Sequence, residues 1–421
     1  MMTQENIEQL KPFQARAIIE GLRKGIVPTE YVSFFTVGRQ NWLKFVEEDL
    51  DYFIANGGGK VRFINGDYGD GKTHFMSIVK QLALQKNFAS SFVVLTRDVP
   101  IHKFEVVYQE IVLQLCGNFE GIGIRALIKH WLNEQKNKEA NLNELAASLR
   151  EIPGMGLDFA NALIGLLHIT SSPSASLEEN ADSEEIVYQW FEGKKVAKKD
   201  LKQFNVFELL NKTNSKHFLQ SLIAFLKVTN HKGLILFLDE LETVLAQGTS
   251  IRNAAYENVR LLMDNTESAQ YLQLFFSLIP DVLLSEKGFK SYDALWSRVR
   301  TIGDSELVNY RSTLVDLHKT PLKRQELMDL GASLRRIHEI SYRWDAEEQV
   351  PNDLIAKMCA AQEEMGALSE VRLFIKQMIR CLDLTEQGDL MDESHLSLNL
   401  LESQKETEVE KTQQLEPVWD V

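Results

Sequence analysis

The sequence predicts an α/β protein: a parallel sheet flanked by helices, with a helical insertion and a helical C-terminal unit. Three observations carry this. A glycine-rich turn separates a short apolar run, KVRFING, from an amphipathic stretch that starts at Thr73, the strand–loop–helix order of a parallel sheet. Two later runs, GLILFLDELE and YLQLFFSLIP, are apolar without alternation, as strands buried on both faces must be. Between the two halves of this pattern, residues 117–227 read as polar helices.

The elements follow in order. Residues 13–23 space Ala17, Ile18 and Leu22 on one helical face and stop at Gly25, with Pro28 beyond. VGRQNWLKFVEEDLDYFIA is a second amphipathic helix, ended by glycines 57–59. KVRFING is a strand, residues 73–85 a helix and SFVVLTRDV a strand. GIRALIKHWLNE and LDFANALIGLLHI are helices of the insertion. The turn-rich segment TSSPSASLEENADSEE, residues 170–185, reads as a surface loop. From Pro321 the pattern is helical: ELMDLGASLRRIHEISYRW, PNDLIAKMCAAQEEM and LSEVRLFIKQMIRCLDL. The boundaries expected are 1–56 for an N-terminal helical segment and 57–116 for the first part of the core. A helical insertion follows at 117–227, the rest of the core at 228–318, a helical lid at 319–384 and an acidic, flexible tail at 385–421.

Composition narrows the class. The chain has 421 residues, 44% hydrophobic and 25% charged, an ordinary soluble balance that permits two or three domains. No run approaches the roughly 20 apolar residues of a spanning helix, and MMTQENIEQL lacks a signal-peptide layout. Cys116, Cys359 and Cys381 are too few and too scattered for a disulfide framework or a zinc pattern, so a reduced, cytoplasmic compartment is expected. The net charge of −14 argues against a bulk electrostatic DNA binder. However, eleven acids against two bases fall from Asp383 onward, which leaves −5 for the rest. The tail reads as solubilising, with a contact segment at Val418 and Trp419 as the sharper alternative.

The chemistry concentrates in two motifs. Gly66-Asp67-Tyr68-Gly69-Asp70-Gly71-Lys72-Thr73 fits G-x-x-x-x-G-K-[ST], between a strand and a helix. Its glycines let successive backbone N–H groups turn toward a polyphosphate, and the helix N-terminus adds positive potential. Lys72 is expected on the β- and γ-phosphates and Thr73 on Mg2+; His74 follows on the same turn. The acids Asp67 and Asp70 are tolerable beside phosphate if their side chains point away. The second motif ends the run LILFLDE. A carboxylate at the end of a buried strand is costly without a cation, so Asp239 is expected in the Mg2+ shell and Glu240 beside the attacking water. Glu242 reads as a solvated helix residue, with a backup acid as the alternative. Ser277, polar within LQLFFSLIP, is a candidate sensor. Arg298 and Arg300, after SYDALWSRVR, are candidates for a finger reaching a neighbouring subunit's nucleotide. Arg372 is a candidate contact from the lid.

In that order, with VGR (Gly38 and Arg39) at the entrance to the core, these motifs resemble an AAA+ P-loop ATPase of the origin-recognition/initiator-like branch. The stretches ARAIIEGLRKGIVP, FINGDYGDGKTHF, YQWFEGKK, GLILFLDELETVL, RNAAYENVRLLMD and YDALWSRV are similar to the ATP-binding proteins of BREX phage-exclusion systems. The likeness covers residues 13–385. It implies ATP and Mg2+ as cofactors, with Gly66 to His74, Gly38, Arg39 and Arg372 around the nucleotide and Thr73 and Asp239 at the metal. It further implies catalysis by Lys72, Glu240, Ser277 and Arg298, and self-association with nucleotide at subunit interfaces. The partners implied are other defence-system proteins, in the cytoplasm. The chain has SLIPD where many members have Gly-Thr-Pro, and LSEVR for the frequent Thr-Pro-Arg.

DNA contact would have to come from the insertion. Lys194, Lys195, Lys198 and Lys199, with Lys202 beyond, would share one broad face if helical; a solvated lysine-rich turn is the alternative. Two other functional readings stay open: a DNA-loading or transposition-type recruiter ATPase, and a signalling switch whose output is nucleotide exchange.

Overall fold

A computed structural model of the chain describes residues 6–138, 141–171, 177–264, 270–300, 307–364 and 370–389. Five strands form one sheet: β1 (Gly59–Asn65), β2 (Ala89–Val94), β3 (Leu234–Asp239), β4 (Leu272–Leu278) and β5 (Leu314–Asp316). The order is β2-β3-β4-β1-β5, and every pairing is parallel. The strand β4 therefore separates the phosphate-loop strand β1 from the acidic strand β3. Its register pairs Leu238 with Phe276 and Ile64 with Ser277. The next step brings Asp239 level with Ser277, close to the end of β1 from which the glycine-rich loop leaves.

The sheet is buried on both sides, as its continuous apolar runs require. Leu234, Leu236 and Leu238 face one core, and Ile235 and Phe237 the other. The first core is closed by α4 (Phe104–Leu113) and the insertion: α5 (Ile124–Asn137), α6 (Leu142–Arg150), α7 (Leu157–Ser171), α8 (Leu177–Phe191), the short α9 (Lys198–Leu201) and α10 (Ser215–Val228). With these pack α11 (Thr249–Asp264), α12 (Pro280–Leu284) and α13 (Asp293–Val299). The second core holds α1 (Pro12–Arg23), α2 (Gln40–Tyr52) and α3 (Lys72–Gln85). There they meet the C-terminal helices α14 (Arg324–Tyr342), α15 (Ala346–Gln349), α16 (Asn352–Glu364) and α17 (Val371–Glu386). Among the described residues no helix is long and apolar enough to cross a membrane.

Two readings of the insertion are corrected. Most of the loop expected over residues 170–185 is the start of α8, while residues 172–176 lie outside the described set. Asp182, Glu184 and Glu185 lie in the middle of this helix. Val187, Tyr188, Trp190 and Phe191 bury its last turns. The lysine cluster is not one helical face either. Gly193, left-handed at φ +73°, turns the chain out of α8, and a Cβ there would sit 2.6 Å from Leu210 Cδ2. Lys194 and Lys195 then lie in irregular chain, and only Lys198 and Lys199 are in the short α9. Lys194 is also engaged, 2.7 Å from Glu192. The segment WFEGK is a packing junction. Trp190 Nε1 donates to Glu208 O at 2.7 Å, and Arg125 grips both oxygens of Glu185 at 2.7 and 3.0 Å while its Nε reaches Glu192 at 3.0 Å.

The helix α1 starts at Pro12, a residue whose missing N–H costs nothing there. The Gln14 side chain reaches back to the Lys11 amide at 3.0 Å. Its apolar face, Ala15, Ile18, Ile19 and Leu22, is buried with the helices of the lid. At its end, Arg23 donates to both oxygens of Asp383 on α17, at 3.0 and 2.7 Å, and to Tyr342 Oη at 3.0 Å. His338 completes the junction. Trp344 Nε1, which can only donate, bonds His338 Nδ1 at 2.9 Å. Nε2 must then carry the proton toward Asp383 Oδ1, 3.0 Å away. Burial opposes ionisation of Asp383, but the bonds from His338 and Arg23 hold its carboxyl below its ordinary range. The acidic tail expected from residue 385 begins inside α17, which runs to Glu386, and residues 390–421 lie outside the described set.

Candidate nucleotide-binding site

The glycine-rich loop turns where its glycines allow. Gly69 and Gly71 have φ of +96° and +92°, and α3 begins directly after. Lys72 is buried and points back across the loop. Its Nζ donates to Gly66 O at 2.8 Å and Asp67 O at 3.1 Å, with the Tyr68 ring centroid at 5.2 Å. Asp67 N donates to Asp70 Oδ2 at 2.7 Å, so Asp70 folds under the loop. Burial raises the Asp70 carboxyl, against the lowering effect of His318.

Asp239 is the hub of the acidic side. Thr73 Oγ1 donates to its Oδ2 at 2.9 Å, and Ser277 Oγ donates to its Oδ1. The Glu240 amide donates both to that Oδ1, at 3.1 Å, and to Ser277 Oγ, at 2.9 Å. Glu240 is left-handed, at φ +65°, a costly conformation for glutamate. That turn aims its carboxyl into the cleft beside Lys72 and Thr73. Burial first, and then Asp239, raise the Glu240 carboxyl, while Lys72 and Arg372 oppose the shift. Ser277 is thus fully buried and positions the acidic pair.

The structure corrects the reading of Glu242. It lies in a turn of 3-10 helix, residues Leu241–Ala246, is 8% exposed, and its Oε2 has no hydrogen-bond partner. Burial pushes its carboxyl up to about 7, with Lys72 the largest opposing influence. A raised acid binds its proton more tightly in the folded state. The group therefore costs stability as pH rises from the unfolded value near 4.5, and the cost saturates above about 7. Glu242→Gln is expected to stabilise the protein by about 3 kcal/mol at pH 8, and the gain should vanish near pH 4. Urea unfolding across that range measures this; a gain independent of pH would refute the buried-carboxyl account.

The C-terminal helices and the N-terminal segment complete the cleft. Arg372 N, at the start of α17, donates to Gly69 O at 3.1 Å, and its side chain lines the cavity. Arg39 is left-handed, and its guanidinium spans Thr320 Oγ1 at 3.2 Å, Leu317 O at 3.4 Å and Asp70 O at 3.5 Å. Burial lowers it to about 10, with Asp70 and Glu326 opposing. Gly38 does not line the cavity. It is where the segment meets the lid, since a Cβ would lie 2.6 Å from Leu322 Cδ2. His74 lines the cavity against Phe35, and burial, followed by Arg39, pushes it down to about 4. Val27, Phe35, Val37, Ile78, Leu322 and Ile375 form the apolar wall of the cavity.

Sequence reasoning missed this wall. Apolar residues at the ends of distant helices carry no local signature, although the GIV break after α1 was a signal of sorts. His318 was also missed, because it follows a strand of only three residues. The remaining candidates lie outside the cavity. Arg298 is bonded through Nε and Nη2 to Asp264, the latter at 2.9 Å, and Arg300 is exposed at the end of α13. Neither arginine lines the nucleotide cavity of its own chain, nor do the lysines of the insertion.

A five-stranded parallel sheet flanked by helices, with this loop at the carboxyl end of β1, is the fold of a P-loop NTPase. The chain matches the family model of the BREX system ATP-binding protein BrxC/D over residues 10–398 and belongs to that family. A solved structure, the Walker-type ATPase PABY2304 of Pyrococcus abyssi, is similar at 13% identity. The match covers 88% of this chain and 89% of that one, with a TM-score of 0.28. Among curated proteins none matches the chain.

Proposed function

We propose that the chain is a Mg2+-dependent, AAA+-type ATPase that works as a switch or motor subunit of BREX anti-phage defence, in the cytoplasm. One observation carries this: Thr73, Asp239, Ser277 and Glu240, from the first turn of α3 and the ends of two strands, meet in a single hydrogen-bonded cluster beside Lys72. Thr73 and Asp239 offer a hydroxyl and a carboxylate oxygen 2.9 Å apart, hard donors that suit Mg2+. When bound, that ion offsets the charge of the phosphates. Loop amides and Lys72 hold the polyphosphate, and the apolar wall holds the base. Glu240, kept basic by burial yet facing the cleft, accepts the proton of the attacking water. Arg372 links the lid to the bound nucleotide.

Self-association follows from the finger reading. Arg298 is remote from its own cavity, so it must leave Asp264 and act on a neighbour. DNA is a candidate partner through Lys195, Lys198 and Lys199, which are exposed, and through Lys194 if it leaves Glu192. Phosphate release from ATP, with and without duplex DNA, tests the reading. The wild type is expected to turn over ATP only with Mg2+, and Lys72→Ala to lose both binding and turnover. ATP binding without phosphate release would remove the hydrolase reading and leave the exchange switch. Unchanged turnover in Arg298→Ala, measured where the chain self-associates, would remove the finger.

A further inference from the structure

The phosphate loop carries two carboxylates next to the place it offers a polyanion, and a third group stands beside them. His318, from the turn after β5, places Nε2 3.4 Å from Asp70 Oδ2 and 3.5 Å from Asp67 Oδ2. These separations exceed the roughly 2.7–2.9 Å of a charge-assisted hydrogen bond. They match the edge of about 3.3–3.6 Å between donors around a tetrahedral ion bound at about 2.0–2.2 Å. The donor atoms of all three residues lie within 4.8 Å of one another. Asp316 Oδ1 accepts the His318 amide at 3.1 Å, which fixes the turn that presents the ring.

Asp70 adds an independent observation. It is only 3% exposed; its Oδ2, the oxygen nearest His318, accepts the Asp67 amide, and its Oδ1 has no hydrogen-bond partner. A carboxylate so buried, with an idle oxygen, is costly unless a cation compensates it.

We propose that Asp67, Asp70 and His318 form a second metal site, separate from the Thr73–Asp239 pair, for a borderline divalent ion such as Zn2+. One imidazole nitrogen and two carboxylate oxygens suit zinc, whereas Mg2+ favours an all-oxygen, octahedral shell. The exposed flank of Asp67 and His318 leaves a fourth position open to water or a phosphate oxygen. Bound there, the ion neutralises the two loop carboxylates and removes their repulsion of a nucleotide. The site follows from the loop and β5 alone and does not depend on hydrolysis.

The test titrates the nucleotide-free, full-length chain with Zn2+ in competition with a chromophoric chelator, and with Co2+ as a visible-absorption probe. One equivalent is expected to bind. Asp67→Asn, on the exposed side of the loop, and His318→Gln should each weaken binding at least tenfold. Lys72→Ala should lose ATP and keep the ion, which separates this proposal from the ATPase reading. A wild type that takes up no ion, or either variant binding as tightly as wild type, overturns the site. So does a cobalt spectrum of thiolate type, or loss of the ion in Lys72→Ala.

Discussion

Changing Glu240 to Gln is expected to leave ATP bound and to slow its hydrolysis by roughly 10²–10⁴-fold. Gln keeps the shape and the backbone bonds but cannot take a proton. The Glu240 amide, held by Asp239 Oδ1 and Ser277 Oγ, is untouched by the change, so the left-handed turn survives. Asp239, Thr73 and Lys72 keep their contacts, and affinity should move by no more than a few-fold. Nucleotide affinity from a fluorescent analogue and single-turnover phosphate release measure the two halves separately. A variant that hydrolyses ATP at the wild-type rate would show that Glu240 is not the base, and Glu242 would become the next carboxylate to examine.

The second large effect concerns stability. Asp49→Ala should cost about 3–5 kcal/mol, the usual result of stranding a buried charge. Arg62, on the interior strand β1, is 0% exposed and donates through Nη2 to Asp49 Oδ2 at 2.7 Å. Lys60 donates to the same oxygen at 2.6 Å. Burial lowers Arg62 against the pull of Asp49, so the pair exists because each partner compensates the other. Without Asp49, Lys60 can turn to solvent, whereas Arg62 keeps only Tyr310 O, at 3.0 Å. Urea unfolding measures the loss. The double variant Asp49→Leu with Arg62→Met removes both charges and should recover most of it. If Asp49→Ala unfolds at the wild-type midpoint, the buried pair contributes nothing.

The two motifs were legible in the sequence for a physical reason. Phosphate is gripped by consecutive backbone amides, so Gly66 to Thr73 must be contiguous, and the strand that presents Asp239 must be an unbroken apolar run to cross the core. The long helices were legible through their periodicity. The strand β5 was not, because three residues cannot establish a period. Helix α8 was misread because serines and acids resemble a loop until Trp190 and Phe191 show what anchors it. Glu242 looked solvated because sequence carries no measure of depth.

The sequence alone thus determined four of the five strands, the phosphate loop, the acidic strand end and the presence of an inserted helical region. Tertiary structure decided how these become a site. It placed β4 between β1 and β3, so Ser277 could clasp Asp239 and Glu240. It joined Arg23 to Asp383 across 360 positions, which ties α1 to the lid. It brought His318 to the acids of the loop and assembled an apolar wall from α3, the N-terminal segment and the lid. The division follows from the range of the forces. Backbone conformation and amphipathic burial act between neighbours and leave a pattern in the chain. Charge compensation and cavity shape act between residues that meet only after the sheet has formed.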